Sequence, residues 1–285
     1  MRLMPGGPRT SRLLPRPHQV SGVAGPWDRV AEDLRRYGVG LVSASLADWE
    51  ANRPGDAELR ALLGRDWGRY VAAPNPRLRE RFVASRALVK YVAAAAVRAV
   101  PEELELGYAL TGRLYVRGCD QVDLSLTHCG DLLFVGVTSL GVIGVDAEPA
   151  DRTLCGMGVE RLMCTPWELA MLAETPADQH NARLLGLWTL KEAYSKALGQ
   201  GLLFPFTEFG FEVSDGRPAE LRRADGTPVG DLAWTFRTMP VGGRYLGAVA
   251  LHDTGRGPAR DTAVGTALDQ GLSAAIHRSL NARDA

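Results

Sequence analysis

Helical and β-prone segments follow one another twice along this chain in the same order, and that repetition restricts the fold more than any other feature. Residues 27–50, "WDRVAEDLRRYGVGLVSASLADWE", read as a short helix and then a strand, with Gly38-Val39-Gly40 between them. Residues 75–100, "NPRLRERFVASRALVKYVAAAAVRAV", hold the clearest helical pattern, with Phe82, Ala87, Val89 and Val92 among its apolar positions, and Pro101 ends it. The β-prone runs "RLYVRG", "VDLSLTH", "LLFVGVTSL" and "VIGVDAE" follow, and His128-Cys129-Gly130-Asp131 reads as a hairpin turn between two of them. The second round begins with "TPWELAMLAET", where Thr165 is the N-cap and Pro166 the first helical residue. A helix over about 180–198 comes next, closed by Gly199 and Gly201. The strands "FGFEV", "LAWTFRTM" and "YLGAVALH" complete the round, with Gly242-Gly243 turning the last two. Two halves of one plan, 27–140 and 141–253, predict an α+β fold in which a duplicated unit packs against itself as a pseudo-twofold pair. Residues 1–26 are rich in Arg, Pro and Gly without a continuous apolar stretch and read as a disordered leader, not a signal peptide. Residues 254–285 form a tail in which Val264, Leu268, Leu272, Ile276 and Leu280 line one face of a possible helix.

Composition narrows the function. The formal net charge is zero, so no global field draws the chain to nucleic acid or to a membrane, and any anion site must be local. Cys119, Cys129, Cys155 and Cys164 have no C-x-x-C spacing and no nearby histidine pair, which argues against zinc and for reduced thiols in the cytoplasm. No window approaches 18 apolar residues. Among 33 basic residues only three are lysine: Lys90, Lys191 and Lys196. Two of the three stand five positions apart in "WTLKEAYSKALGQGL", where a compact ammonium has survived a strong bias toward arginine.

A strand over 142–148 puts Asp146 and Glu148 on one face, where the two charges repel unless a cation compensates them. Hard carboxylates favour Mg²⁺ or Mn²⁺ over zinc. Glu192 precedes Lys196 by four residues, the spacing of an intrahelical ion pair. Taken together, three carboxylates and two lysines suit a metal-bound polyphosphate, and the absence of G-x-x-x-x-G-K-[ST] excludes a P-loop.

"GVDAEPADR" and "WTLKEAYSKALGQGL" resemble the G-(I/V)-D-x-E-x-x-x-R and (F/W)-x-x-K-E-A/S-x-x-K-x-x-G-x-G-L elements of 4′-phosphopantetheinyl transferases, in their order and separation. "LSLTHCG" is similar to the family's hairpin, and "FVASRALVKY" to the basic helix of its first half. The likeness runs from about residue 30 to 252 and fits the longer, two-halved type acting on polyketide, nonribosomal-peptide and siderophore carrier proteins. It implies an active site in the cleft between the halves. The N-terminal half would grip the 3′-phosphate and adenine of coenzyme A, and the C-terminal half would hold the metal and pyrophosphate. By motif position the resemblance assigns Asp146, Glu148 and Glu192 to Mg²⁺ (or Mn²⁺) and Lys196 to the pyrophosphate. Lys191 shares that role or faces the carrier. Arg86, Lys90 and Arg113 match the basic positions at the 3′-phosphate and adenine end, and Thr127 and His128 match the hairpin positions that reach the same phosphate. Arg152 anchors the loop after Glu148 as an ion-pair partner. Thr127 replaces the usual serine, Leu114 a frequent proline and Ala147 a larger aliphatic residue.

The implied reaction moves the 4′-phosphopantetheine arm of coenzyme A to a serine of an apo acyl or peptidyl carrier protein and releases adenosine 3′,5′-bisphosphate. Glu192, directly or through a metal-bound water, is the candidate base, with Lys196 and Asp146 completing the catalytic set. Two other readings are a non-catalytic module of the same fold that binds coenzyme A or a carrier, and a metal-dependent phosphatase or nuclease. A chain that supplies its own cleft is expected to work as a monomer.

Overall fold

Two strand–helix–hairpin units of identical strand order make up most of the computed structural model, which describes residues 13–51, 55–200, 204–213 and 217–255. The first contains β1 (His18–Gln19), α1 (Trp27–Tyr37) and β2 (Val39–Ser45). Three short helices, α2 (Leu46–Ala51), α3 (Asp56–Leu63) and α4 (Trp67–Ala72), lead to the long α5 (Pro76–Val97). A small hairpin of β3 (Leu106–Tyr108) and β4 (Leu114–Val116) precedes β5 (Asp123–Cys129) and β6 (Leu132–Thr138). The second unit begins with β7 (Gly141–Pro149), followed by α6 (Glu160–Met163), α7 (Pro166–Ala173) and the long α8 (Ala177–Leu198). A two-stranded ribbon of β8 (Phe209–Glu212) and β9 (Glu220–Arg223) then leads to β10 (Trp234–Val241) and β11 (Tyr245–Asp253).

The sheets have the orders β1-β2-β6-β5 and β10-β11-β7. Leaving β1 aside, each unit places its last strand between its first and its middle one, antiparallel to both. Each unit also carries one 22-residue helix between its first and second principal strands. This common plan is the duplicated α+β architecture.

Strand alternation sorts the core into layers. Leu133, Val135 and Val137 of β6 face α5 with Ala87, Leu88 and Val92, whereas Leu132 and Phe134 face the second sheet. There they meet Val145, Val249 and Leu251, so the two sheets pack face to face with a helix on each outer side. Ala248 and Ala250 point the other way, toward Leu190, Ala193 and Ala197 of α8. The sheets are stitched where β5 runs beside β7. Val145 N–H donates to Ser125 Oγ (3.0 Å) and Ile143 N–H to Asp123 Oδ2 (2.7 Å), so polar side chains of β5 satisfy backbone donors of β7.

Local chemistry explains the element ends. Asn75 caps α5 by accepting from Arg77 N–H, with Pro76 as first residue. The helix ends not at Pro101 but at Val97, because Arg98 turns left-handed (φ 53°) and its N–H returns to Ala94 O. Thr165 and Glu168 form a reciprocal capping box on α7, and Gly199 ends α8 in the left-handed conformation. His128 and Cys129 belong to β5, and only Gly130-Asp131 makes the turn. The ladder continues through both residues, pairing His128 with Leu133 and Cys129 with Leu132.

Residues 13–26 are not a disordered leader. His18 and Gln19 pair in parallel with Val42 and Ser43, Leu14 and Val20 are buried, and His18 Nε2 lies 2.7 Å from Asp33 Oδ2. Two well-spaced apolar residues, a short parallel pairing and one side-chain hydrogen bond dock a segment whose proline content reads as unstructured. At the other end Thr254 N–H and Oγ1 both donate to Leu140 O. The helical face expected within 264–280, the segment 1–12 and Gly201 lie outside the described residues. All four cysteines are free, and no described helix is long and apolar enough to cross a membrane.

Candidate active site

The seam between β5, β7 and α8 is where the charged motif residues meet. Their approach requires Gly144: a Cβ there would stand 1.9 Å from Ala193 O, so only glycine lets α8 lie directly on β7. Asp146 and Glu148 then point to the same side as Gly144, toward Glu192 and Lys196 on the last turns of α8. Lys196 Nζ donates to Asp146 Oδ1 (2.6 Å) and to Thr127 Oγ1 (2.9 Å), and Thr127 Oγ1 donates on to Asp146 Oδ1 (3.1 Å). Threonine in place of serine therefore keeps the hydroxyl in use. Glu148 Oε1 accepts from Trp188 Nε1 (2.9 Å) and pairs with Arg152 Nη1 at 2.5 Å, while the Arg152 guanidinium lies over the Trp188 ring.

The carboxylates are under electrostatic stress. Burial raises Asp146 above the usual carboxylate range, opposed by the Lys196 ammonium. Burial, with the charges of Asp146 and Glu148, pushes Glu192 up to about 7. Asp146 Oδ2 is buried without a hydrogen-bond partner. Among the described residues no three His, Cys, Asp or Glu side chains form a ligand-ready group. Asp146 Oδ1 is taken by Lys196, and Glu148 Oε1 by Arg152 and Trp188. The unpartnered Oδ2 of Asp146 and the raised Glu192 would both be satisfied by a positive charge, so the donor set fits a hard divalent cation.

Beside this seam lies a cavity of about 440 Å³ between α5, the β3–β4 hairpin and β5, with Lys196 and Gly199 at its border. Arg86, His128, Arg113 and Lys196 all line it. Burial lowers the His128 pKa, and the positive charges of Arg81, Lys196 and Arg86 lower it further. A neutral imidazole among three cations marks a wall suited to an anion.

Three basic residues depart from their expected places. Lys191 is fully buried on the opposite side of α8, its Nζ donating to Glu168 Oε2 and to the carbonyls of Met163, Phe206 and Phe209. It does not line the cavity; an ammonium held by four bonds ties α8 to α7 and the β8 strand. Lys90 is also buried, lies outside the lining of the cavity and has no hydrogen-bond partner. Arg113 borders the cavity, but its guanidinium is spent on Asp123 and on the carbonyls of Lys196, Ala197 and Ile143. It therefore clasps the end of α8 to both units.

Arg81, Phe82, Ser85 and Tyr108 line the cavity and escaped the sequence reading. Residues 78, 81, 82, 85 and 86 share one helix face: four back from Arg86 is Phe82, and steps of three forward from Phe82 and Leu78 reach Ser85 and Arg81. Tyr108 comes from a distant hairpin and leaves no such signal.

Residues 142–250 match the family model described as "4'-phosphopantetheinyl transferase superfamily". The phosphopantetheinyl transferase of Thraustochytrium sp. is 27% identical over 61% of this chain and 64% of its own length. The 4′-phosphopantetheinyl transferase pptA of Paxillus involutus is 37% identical over 35% of each chain, and HetI of Nostoc sp. is 26% identical over 64% of this chain and 75% of its own. The chain thus spans less than two thirds of the length of the first two relatives. The matched segment holds Asp146, Glu148, Glu192 and Lys196 together with the strands and helix that position them. Over residues 142–250 the chain is thus similar to the 4′-phosphopantetheinyl transferase superfamily.

Proposed function

We propose that this protein transfers the 4′-phosphopantetheine arm of coenzyme A to a serine of an apo carrier protein, acting as a monomer in the cytoplasm on carriers of polyketide, nonribosomal-peptide or siderophore synthases. The observation that carries the proposal is the meeting of Asp146, Glu148, Glu192 and Lys196 at one seam beside a cationic cavity. The cavity seats the adenine nucleotide end, with Arg86 and His128 toward its 3′-phosphate. Asp146, Glu148 and Glu192 would hold Mg²⁺ or Mn²⁺, which supplies charge neutralisation at the pyrophosphate oxygens. Lys196, held by Thr127 and Asp146, presents its ammonium to the pyrophosphate and stabilises charge on the departing adenosine 3′,5′-bisphosphate. Glu192 takes the proton of the attacking serine hydroxyl. The serine oxygen forms a bond to the β-phosphorus as the bond between that phosphorus and the bridging oxygen breaks. Incubating the full chain with coenzyme A, Mg²⁺ and apo carrier domains tests the proposal by intact mass. The carrier should gain one phosphopantetheine; failure of several apo carriers to gain it overturns the assignment.

A further inference from the structure

Beneath the wall of the cavity lies a carboxylate that does not line it. Asp66 ends a 3-10 turn at Gly64–Asp66, between α3 and α4, and is buried. Its Oδ2 accepts from Tyr108 OH (2.9 Å) and lies 3.3 Å from Arg86 Nε, while Oδ1 is 3.4 Å from Arg69 Nη1. Both guanidinium groups also lie over the rings of Phe82 and Tyr108, Arg86 at 4.8 and 5.1 Å and Arg69 at 5.5 and 4.5 Å. The buried ammonium of Lys90 feels the same carboxylate. Asp66 therefore offsets Arg69 and Arg86, and Lys90 together with Glu105, and two of its neighbours, Arg86 and Tyr108, form part of the cavity surface. Arg86 Nε makes no hydrogen bond, so the guanidinium is held by the charge of Asp66 at 3.3 Å and by stacking on two rings, which restrict its rotamers and orient its anion-binding edge before any ligand arrives. No bond of Asp66 reaches toward the catalytic carboxylates.

We propose that Asp66 is a positioning residue that sets the cavity's selectivity for nucleotides bearing a ribose 3′-phosphate, by holding Arg86 and Tyr108 in place. This rests on the reading of the cavity as the seat of the coenzyme A nucleotide. Replacing Asp66 by Asn removes the charge that offsets three cations, and Arg86 and Arg69 then repel each other across the rings. The cost falls on the ligand that needs Arg86, not on the adenine.

Isothermal titration of the full chain with adenosine 3′,5′-bisphosphate and adenosine 5′-monophosphate tests this without turnover. Wild type should prefer the bisphosphate by at least about tenfold, and Asp66→Asn should weaken the bisphosphate about tenfold while changing the monophosphate less than about twofold. Asp66→Glu should restore most of the preference, and Tyr108→Phe should lose about threefold in the same direction. In steady state Asp66→Asn should raise KM for coenzyme A with kcat nearly unchanged. Equal weakening of both nucleotides overturns the proposal, as does an unchanged bisphosphate affinity or a wild type without the preference. Should Asp66→Asn fail to fold, Tyr108→Phe decides, and an undiminished preference in that variant overturns the proposal. Selectivity that shifts as expected in a protein that never modifies a carrier supports the role of Asp66 and overturns the transferase reading instead.

Discussion

Glu192 sits where three negative charges converge, and its titration links the chemistry of the site to the stability of the protein. Its carboxyl ionises near 4.5 when unstructured and near 7 in the fold, first because of burial and then because of Asp146 and Glu148. Between those values the folded protein binds a proton that the unfolded chain has released, so stability falls as pH rises from about 4.5 to 7. For a carboxylate still partly solvated the loss is about 1–2 kcal/mol after screening. Thermal unfolding without a divalent cation should show this decline, Glu192→Gln should flatten it, and Mg²⁺ should raise Tm more at pH 8 than at pH 5. A Glu192→Gln profile that parallels wild type contradicts the shift. Lys196 is the complementary case. Its ammonium fits between Thr127 Oγ1 and Asp146 Oδ1 at hydrogen-bond distance from both, a space suited to a point charge and not to a planar fork. Lys196→Arg should therefore lose at least about tenfold in kcat despite its retained charge, and wild-type turnover would refute this.

The two motif elements work because β7 and α8 touch along their backbones. Gly144 begins the acidic motif, and its α-hydrogens face the carbonyl of Ala193, one residue after Glu192. Gly144→Ala meets backbone, which cannot give way as a flexible side chain can, so α8 must shift. The expected result is a folded but destabilised protein, by about 1–3 kcal/mol, with little activity because Lys196 and Glu192 move away from Asp146. Full activity in that variant contradicts the close approach. On the other side of α8, Lys191→Ala leaves the Glu168 carboxylate buried without its cation and should cost about 3–5 kcal/mol. A loss under about 1 kcal/mol, measured by denaturant unfolding, would show that the pair is not buried as described. The spacing of Lys191 and Lys196 announced that both mattered, but five residues along a helix place them on opposite sides, and only packing shows which one reaches the cavity. Asp146, Glu148, Glu192 and Lys196 were legible because a strand period and a helix turn bring them together locally. The bonding of Arg113 and the burial of Lys90 were not legible because their partners, Asp123 and the α8 carbonyls for one and the acidic surroundings of Glu105 and Asp66 for the other, are tertiary neighbours.

At the scale of the whole molecule, duplication makes the site. Each unit buries its own helix on one sheet face, and the opposite faces form a shared core around Leu41, Phe134, Val145 and Val249. The strand β5 of one unit and β7 of the other then lie side by side, so a cavity-lining edge and an acidic edge meet without further elements. The repeated order of helices and strands was readable because it depends on local pattern. The docking of residues 13–20 was not, since it depends on the parallel pairing of His18 and Gln19 with β2 and on the burial of Leu14 and Val20. The account as a whole holds that this seam transfers phosphopantetheine and does not merely hydrolyse or bind coenzyme A. The most direct measurement follows both products in one reaction of the full chain with coenzyme A, Mg²⁺ and an apo carrier domain, the nucleotide by chromatography and the carrier by mass. The account predicts adenosine 3′,5′-bisphosphate and modified carrier in equal amounts, both lost in Asp146→Ala. Nucleotide release with the carrier unmodified would contradict it.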